Sequence, residues 1–170
     1  MNPVNNSKLK QVLRSLDAYS TERRRFLRSI NWLESNRDPF SVVSEIIVQH
    51  IMGGQLAENQ VQAGWDLIDE NNRKVQVKYL ANTREIWANG HDVKFPNGVD
   101  LFALVVFEQH APQSVLVFNR AHIGLLCRRL NKRHGNQDSG IQFTQANYRA
   151  VLKDAENMEQ QHLISVFGID

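Results

Sequence analysis

Three side chains stand at a spacing that can do chemistry: Asp66, Gln76 and Lys78. Two strand-like runs flank the turn formers Asp69, Glu70, Asn71 and Asn72, so residues 64–80 read as a β-hairpin. In the second run Val75, Val77 and Tyr79 take one face, and Gln76 and Lys78 take the other. Pairing around the turn brings Asp66 close to Gln76 and Lys78. An acid, an amide and an ammonium then converge at one end of a small sheet. Carboxylate and amide oxygens are ligands that a hard divalent cation accepts.

The segment before the hairpin extends the pattern. Residues 44–54 read Ser-Glu-Ile-Ile-Val-Gln-His-Ile-Met-Gly-Gly, an apolar helix that carries Glu45 and ends in Gly53-Gly54. Leu56-Ala57-Glu58-Asn59 and then Ala63-Gly64-Trp65-Asp66-Leu67-Ile68 lead into the first strand. Over residues 41–118 this order resembles the restriction-endonuclease-like, or PD-(D/E)XK, nuclease superfamily, with Asp66…Gln76-Val77-Lys78 as its D…(D/E)-x-K signature. The resemblance is strongest to a small type II restriction enzyme. Gln76 stands where most members have Asp or Glu, although some restriction enzymes of the superfamily carry Gln or Asn there.

The resemblance implies a Mg²⁺-dependent endonuclease that hydrolyses phosphodiester bonds of double-stranded DNA, with Mn²⁺ as a possible substitute. Asp66 would be the primary metal ligand, joined by the Val77 carbonyl and the neutral amide oxygen of Gln76. Losing one negative charge at Gln76 weakens the metal site, and Glu45 can restore that charge from the helix. Lys78 is placed to orient the attacking water and steady the phosphate. Mg²⁺ keeps several waters, so one or two carboxylates suffice.

The elements that must position these residues follow from periodicity. Leu9, Val12, Leu13, Leu16 and Tyr19 predict a helix over 7–19, and Ser20-Thr21 offer a cap for a second one reaching about residue 35. Asp38-Pro39 breaks the chain, and Ser41 caps a third helix over 42–52. Residues 81–99 lack periodicity and form a long connection expected to hang over the catalytic edge. Within it Arg84, Trp87, Asn89, His91 and Lys94 suit base or phosphate contact, though any polar loop offers similar residues. Residues 101–107 are a continuous apolar strand, joined through a turn at 109–113 to a second one at 114–118. A fourth helix is expected at 120–133, a last helix over 145–156 capped by Thr144, and an edge strand at 163–167. The fold class is α/β: a restriction-endonuclease-like core with a mixed central β-sheet flanked by helices and an N-terminal helical pair. A single domain is expected over 1–170, with 1–40 as a helical appendage, 41–118 as the core and 119–170 as C-terminal helices.

Bulk properties set the outer limits. With 170 residues the chain is long enough for a substantial core. No apolar run approaches a membrane span, and residues 1–6 lack the apolar stretch of a signal peptide, so a cytoplasmic protein without membrane contact is expected. The single cysteine, Cys127, excludes an intramolecular disulfide and a Cys-rich zinc site. Net charge is only +2, but basic residues cluster at 1–40 and at 120–134, where Arg120, Arg128, Arg129, Lys132 and Arg133 stand with no acid. A solvated helix face explains either cluster alone; both beside the nuclease pattern favour phosphate contact. Cutting both strands with one site per chain suggests a homodimer, although the superfamily also contains monomeric nickases. Competing readings are a repair, recombination or phage-defence nuclease of the same fold, a catalytically inactive DNA-binding module, and a protein-interaction domain.

Overall fold

Strand β3 (Lys74–Asn82) is the member of the sheet that reconciles a local hairpin with a long-range pairing. The computed structural model describes residues 3–32, 37–58, 64–82, 86–87, 91–94, 97–119, 140–155 and 163–166. The other elements among the described residues are helices α1 (Pro3–Ser29), α2 (Pro39–Met52) and α3 (Gln145–Ala155), and strands β1 (Gln55–Leu56), β2 (Leu67–Ile68), β4 (His91–Lys94), β5 (Leu101–Glu108), β6 (Ala111–Asn119), β7 (Gly140–Phe143) and β8 (Leu163–Val166). Six strands form one mixed sheet in the order β1-β2-β3-β5-β6-β8, and β4 pairs with β7 in a second, two-stranded one. The protein is therefore α/β. The chain divides into two compact units, Met1–Val42 and Val43–Asp170. Among the described residues no helix is long and apolar enough to cross a membrane.

The N-terminal pair is a single 27-residue helix, which corrects the expected break at Ser20-Thr21. Cap-forming residues end a helix only where the backbone leaves helical geometry, and no Gly or Pro interrupts residues 4–29. The true stop is Asn31, whose φ of 58° is left-handed. Asn31 N donates to Arg28 O at 3.1 Å and Trp32 N to Leu27 O at 2.8 Å, the paired bonds of a Schellman cap. The start of α2 is also corrected. Asp38 Oδ1 accepts the Phe40 amide at 2.8 Å, so Asp38, rather than Ser41, is the cap. Pro39 occupies the first helical position, where its missing N–H costs nothing.

The centre of the sheet follows the expected apolar strands. β5 and β6 form an antiparallel hairpin, closed by Gln109 and His110, both at positive φ. This two-residue turn is tighter than the one expected over 109–113. β3 runs parallel to β5, pairing Gln76 with Phe102, Lys78 with Leu104 and Leu80 with Val106. A parallel pair needs a crossover, which accounts for the length of residues 83–100. Paired residues share a face, so Gln76 and Lys78 lie on the side of Phe102, Leu104, Val106, Leu116 and Phe118. That side is packed with Trp87, Val99 and, from α3, Tyr148 and Val151. β5 is buried along both faces from Leu101 to Phe107. The expected Thr144 cap holds: Asn147 N donates to Thr144 Oγ1 at 3.2 Å. The edge strand at 163–166 pairs antiparallel with β6, and the expected helix at 120–133 lies outside the described residues.

Trp87 corrects the picture of 81–99 as an exposed binding loop. Its ring is buried and stacks on Tyr148, with centroids 5.2 Å apart and planes 23° from parallel. Tyr148 in turn shares a hydrogen bond of 2.9 Å with Ser114. Burial pushes the Tyr148 phenol above its ordinary value of 10.0; the Ser114 bond opposes the rise and the charge of Glu108 adds to it.

Two expectations follow. Because the folded state holds the phenolic proton longer than the unfolded chain, stability from this group is complete below pH 10 and is lost as pH climbs through the raised folded value. Thermal denaturation against pH will show a shallower alkaline decline for Tyr148→Phe than for wild type; equal slopes would clear Tyr148 of that role. At the end of α2, Gly54 has a φ of 87°, and a Cβ there would lie 2.0 Å from Ile68 O and 2.7 Å from Asp69 C. Both obstacles are backbone. Gly54→Ala is therefore expected to lose about 2 kcal/mol or more in chemical denaturation.

Candidate active site

The β2–β3 hairpin builds the site from its turn. Asp69 is buried, and its Oδ1 accepts the amides of Asn71 at 3.0 Å and Arg73 at 2.8 Å. Its Oδ2 accepts Arg73 Nε at 2.8 Å and lies 2.7 Å from Nη2. Asn72 takes the positive φ of 61° that closes the turn. The resulting register pairs Leu67 with Val75 and Ile68 with Lys74. On the solvent side, the Lys74 ammonium lies over the Trp65 ring at 4.2 Å.

Asp66 stands one residue before β2 and is fixed by its main chain on both sides. Its N–H donates to Val75 O at 2.9 Å, and its carbonyl accepts the Ala57 amide at 2.9 Å. The side chain is buried and points at β3: Oδ2 accepts the Val77 amide at 2.6 Å and the Gln76 side-chain Nε2. The hairpin thus unites Asp66, Gln76 and Val77 as the spacing required. Lys78 follows two residues later on the Gln76 face and is exposed. An exposed ammonium at the rim and a buried carboxylate within give the site a polar gradient from solvent to interior.

Glu45 lies on α2, where it is 1% exposed and engaged in an interaction. It is thus a buried carboxylate beside the buried Ser44 on a largely apolar helix, and burial of a charge demands a partner. A cleft of about 760 Å³ opens beside the hairpin, lined by Gly54, Leu56, Ala57, Trp65, Ile68 and Glu70. Neither Asp66, Gln76 nor Lys78 lines it. Hydrogen bonding and burial around Asp66, rather than this cleft, therefore define the candidate site.

The oxygen set available around Asp66 fits Mg²⁺ in kind: a carboxylate, an amide and main-chain carbonyls. Among the described residues no three His, Cys, Asp or Glu side chains gather as a cage of their own. In the present arrangement the Gln76 amide turns its N–H toward Asp66; turning it over would present its oxygen instead. Of the residues expected to meet DNA, Arg84, Asn89, Arg128, Arg129, Lys132 and Arg133 lie outside the described residues, while His91 and Lys94 occupy the two ends of β4. The Asp69 clamp and the Trp65–Lys74 stack went unread in the sequence. The clamp is signalled by an Asp four residues before an Arg across a turn; nothing local in the sequence signals the stack. No protein-family model and no curated protein matches the chain.

A charge change at position 76 tests the site. Gln76→Glu replaces a donor to Asp66 by a second buried carboxylate. It is expected to cost about 2 kcal/mol in metal-free buffer, and to recover much of that loss on adding Mg²⁺. Melting curves in chelator and in Mg²⁺ check this; a variant that matches wild type in both would show that the two side chains are not coupled.

Proposed function

We propose that this chain is a Mg²⁺-dependent endonuclease of double-stranded DNA, of the restriction-endonuclease-like fold and resembling a small type II restriction enzyme. One observation carries the reading. The Asp66 carboxylate is aimed at Gln76 and the Val77 main chain, with the exposed Lys78 next along the same face. The mixed α/β sheet is compatible with that fold.

In this reading Asp66, the Val77 carbonyl and the amide oxygen of Gln76, once that amide is turned over, would hold the cation, and Glu45 would add the charge that Gln76 lacks. The chemistry Mg²⁺ would supply there is an acidified water and an offset to the charge that builds on the phosphate. Lys78 does the rest from the protein side. It orients the attacking water and pairs with a non-bridging phosphate oxygen, a role suited to an exposed cation beside a buried acid. The Val77 amide bond to Asp66 Oδ2 would hold the carboxylate in place while the Gln76 amide turns its oxygen toward the cation. Basic residues at 84, 91, 94 and 128–133 would hold the DNA backbone; Trp87, being core, is not among them.

A second reading has its own observation. Asp66 Oδ2 accepts two N–H donors of the chain itself, which would satisfy the buried carboxylate in a metal-independent DNA-binding module.

Cleavage of mixed-sequence plasmid and phage DNA separates the two. Wild type is expected to give discrete bands in Mg²⁺ or Mn²⁺, and Asp66→Ala and Lys78→Ala each to lower the rate by about a hundredfold or more. Intact DNA with every metal, together with salt-dependent binding, would sink the catalytic reading and leave the module.

A further inference from the structure

Helix α1 is about 40 Å long by its residue count, and its apolar stripe is bare over much of that length. Leu9, Val12, Leu13, Leu16 and Tyr19 are each 54–57% exposed. Farther along the same seam, Arg23 and Phe26 are half-buried and Leu27 is buried. The covered end shows what the stripe is for. A helix draws most of its stability from packing such a face, and monomers rarely leave one open.

The spacing of the stripe identifies what covers it. Leu9, Val12, Leu16 and Tyr19 are separated by gaps of 3, 4 and 3 residues, the a and d positions of a heptad, and this series reads the same in both directions. Two copies laid antiparallel about the midpoint between Val12 and Leu16 therefore match. Leu9 of one meets Tyr19 of the other, and Val12 meets Leu16. Leu13 falls at an e position and meets its own equivalent near the twofold axis. On the opposite flank, Lys8 and Glu22 are both g positions, and the antiparallel alignment sets them about 3 Å apart along the axis, once at each end. A parallel pairing would set Lys8 against Leu13 and Glu22 against Leu27, with no charge match. The five half-exposed residues on two copies would bury on the order of 1,000 Å², where specific interfaces begin.

We propose that the Leu9–Val12–Leu13–Leu16–Tyr19 face of α1 binds the same face of a second copy of this chain in an antiparallel two-helix interface. This inference does not depend on the nuclease reading, since it concerns assembly alone.

Sedimentation and light scattering of the full chain provide the test. Wild type is expected at twice 19.6 kDa at micromolar concentration. Leu13→Lys combined with Leu16→Lys is expected to weaken the dimer by about a hundredfold or more, with the circular dichroism of the monomer retained, because these residues are exposed within it. Lys8→Glu and Glu22→Lys should each weaken it about threefold, and the double swap should restore it. Glu22 also pairs with Arg25 at 2.9 Å, but that contact is exposed and of small weight. A wild-type monomer would overturn the proposal, leaving the stripe to another protein. So would a dimer that survives the two lysines. Failure of the double swap to restore pairing would overturn the antiparallel alignment.

Discussion

The Asp69 carboxylate is the constraint on which the site depends. Buried at the corner of the hairpin, it takes two main-chain amides and the Arg73 guanidinium. Each charge-assisted bond is worth about 1.5–3 kcal/mol at most, and an unpaired carboxylate there would cost more than that. The turn therefore has one acceptable geometry, and with it one register. A slip of a single residue would send Gln76 and Lys78 to the Val75 face and point Asp66 away from β3. The position of Asp66, Gln76 and Lys78 is thus decided outside them, by the buried Asp69 at the turn.

The second constraint comes from the parallel pairing of β3 with β5. Gln76, Lys78 and Leu80 run alongside Phe102, Leu104 and Val106, so the polar end and the apolar core occupy one face of one strand. The chain must then cross from Asn82 back to Leu101. Geometry makes the crossover long, and packing gives it an anchor: Trp87 stacks on Tyr148, which is tied to Ser114 in β6. The length of this segment is thereby explained without a ligand. What remains for function there is its polar residues, not the tryptophan.

These two constraints also mark what could be read in the sequence. Local chemistry was legible. The Asp-Asn turn, the Gly53-Gly54 stop, the Thr144 cap and the doubly apolar strand at 101–107 each depend on residues within a few positions of one another. Misreadings arose where a local signal met no local consequence. Ser20 and Thr21 look like a cap, yet the helix runs on because the backbone has no reason to leave it. Asp38-Pro39 looks like a break and is a helix start, since the same two residues suit either. Trp87 looks like a surface aromatic until the crossover and α3 bring Tyr148 against it. The approach of Asp66 to Gln76 was visible from strand spacing, but the direction of the Gln76 amide was not, because it is set by which neighbour is charged.

That amide frames the central physical question of the site. A carboxylate at position 76 would face Asp66 as a buried like charge, tolerable only with a cation or a proton between them. The neutral amide removes that demand: it donates to Asp66, and the hairpin folds complete without an ion. The cost falls on the other side of the balance, because an ion arriving at Asp66 must displace a hydrogen bond and finds one negative charge fewer. Such an arrangement satisfies Asp66 from within the chain and would hold a divalent cation only weakly unless another carboxylate contributed. Glu45 is a buried acid on α2, engaged in an interaction of its own. Under the nuclease reading it would have to lend its charge to the ion, and the strength of metal binding would turn on how far it can do so.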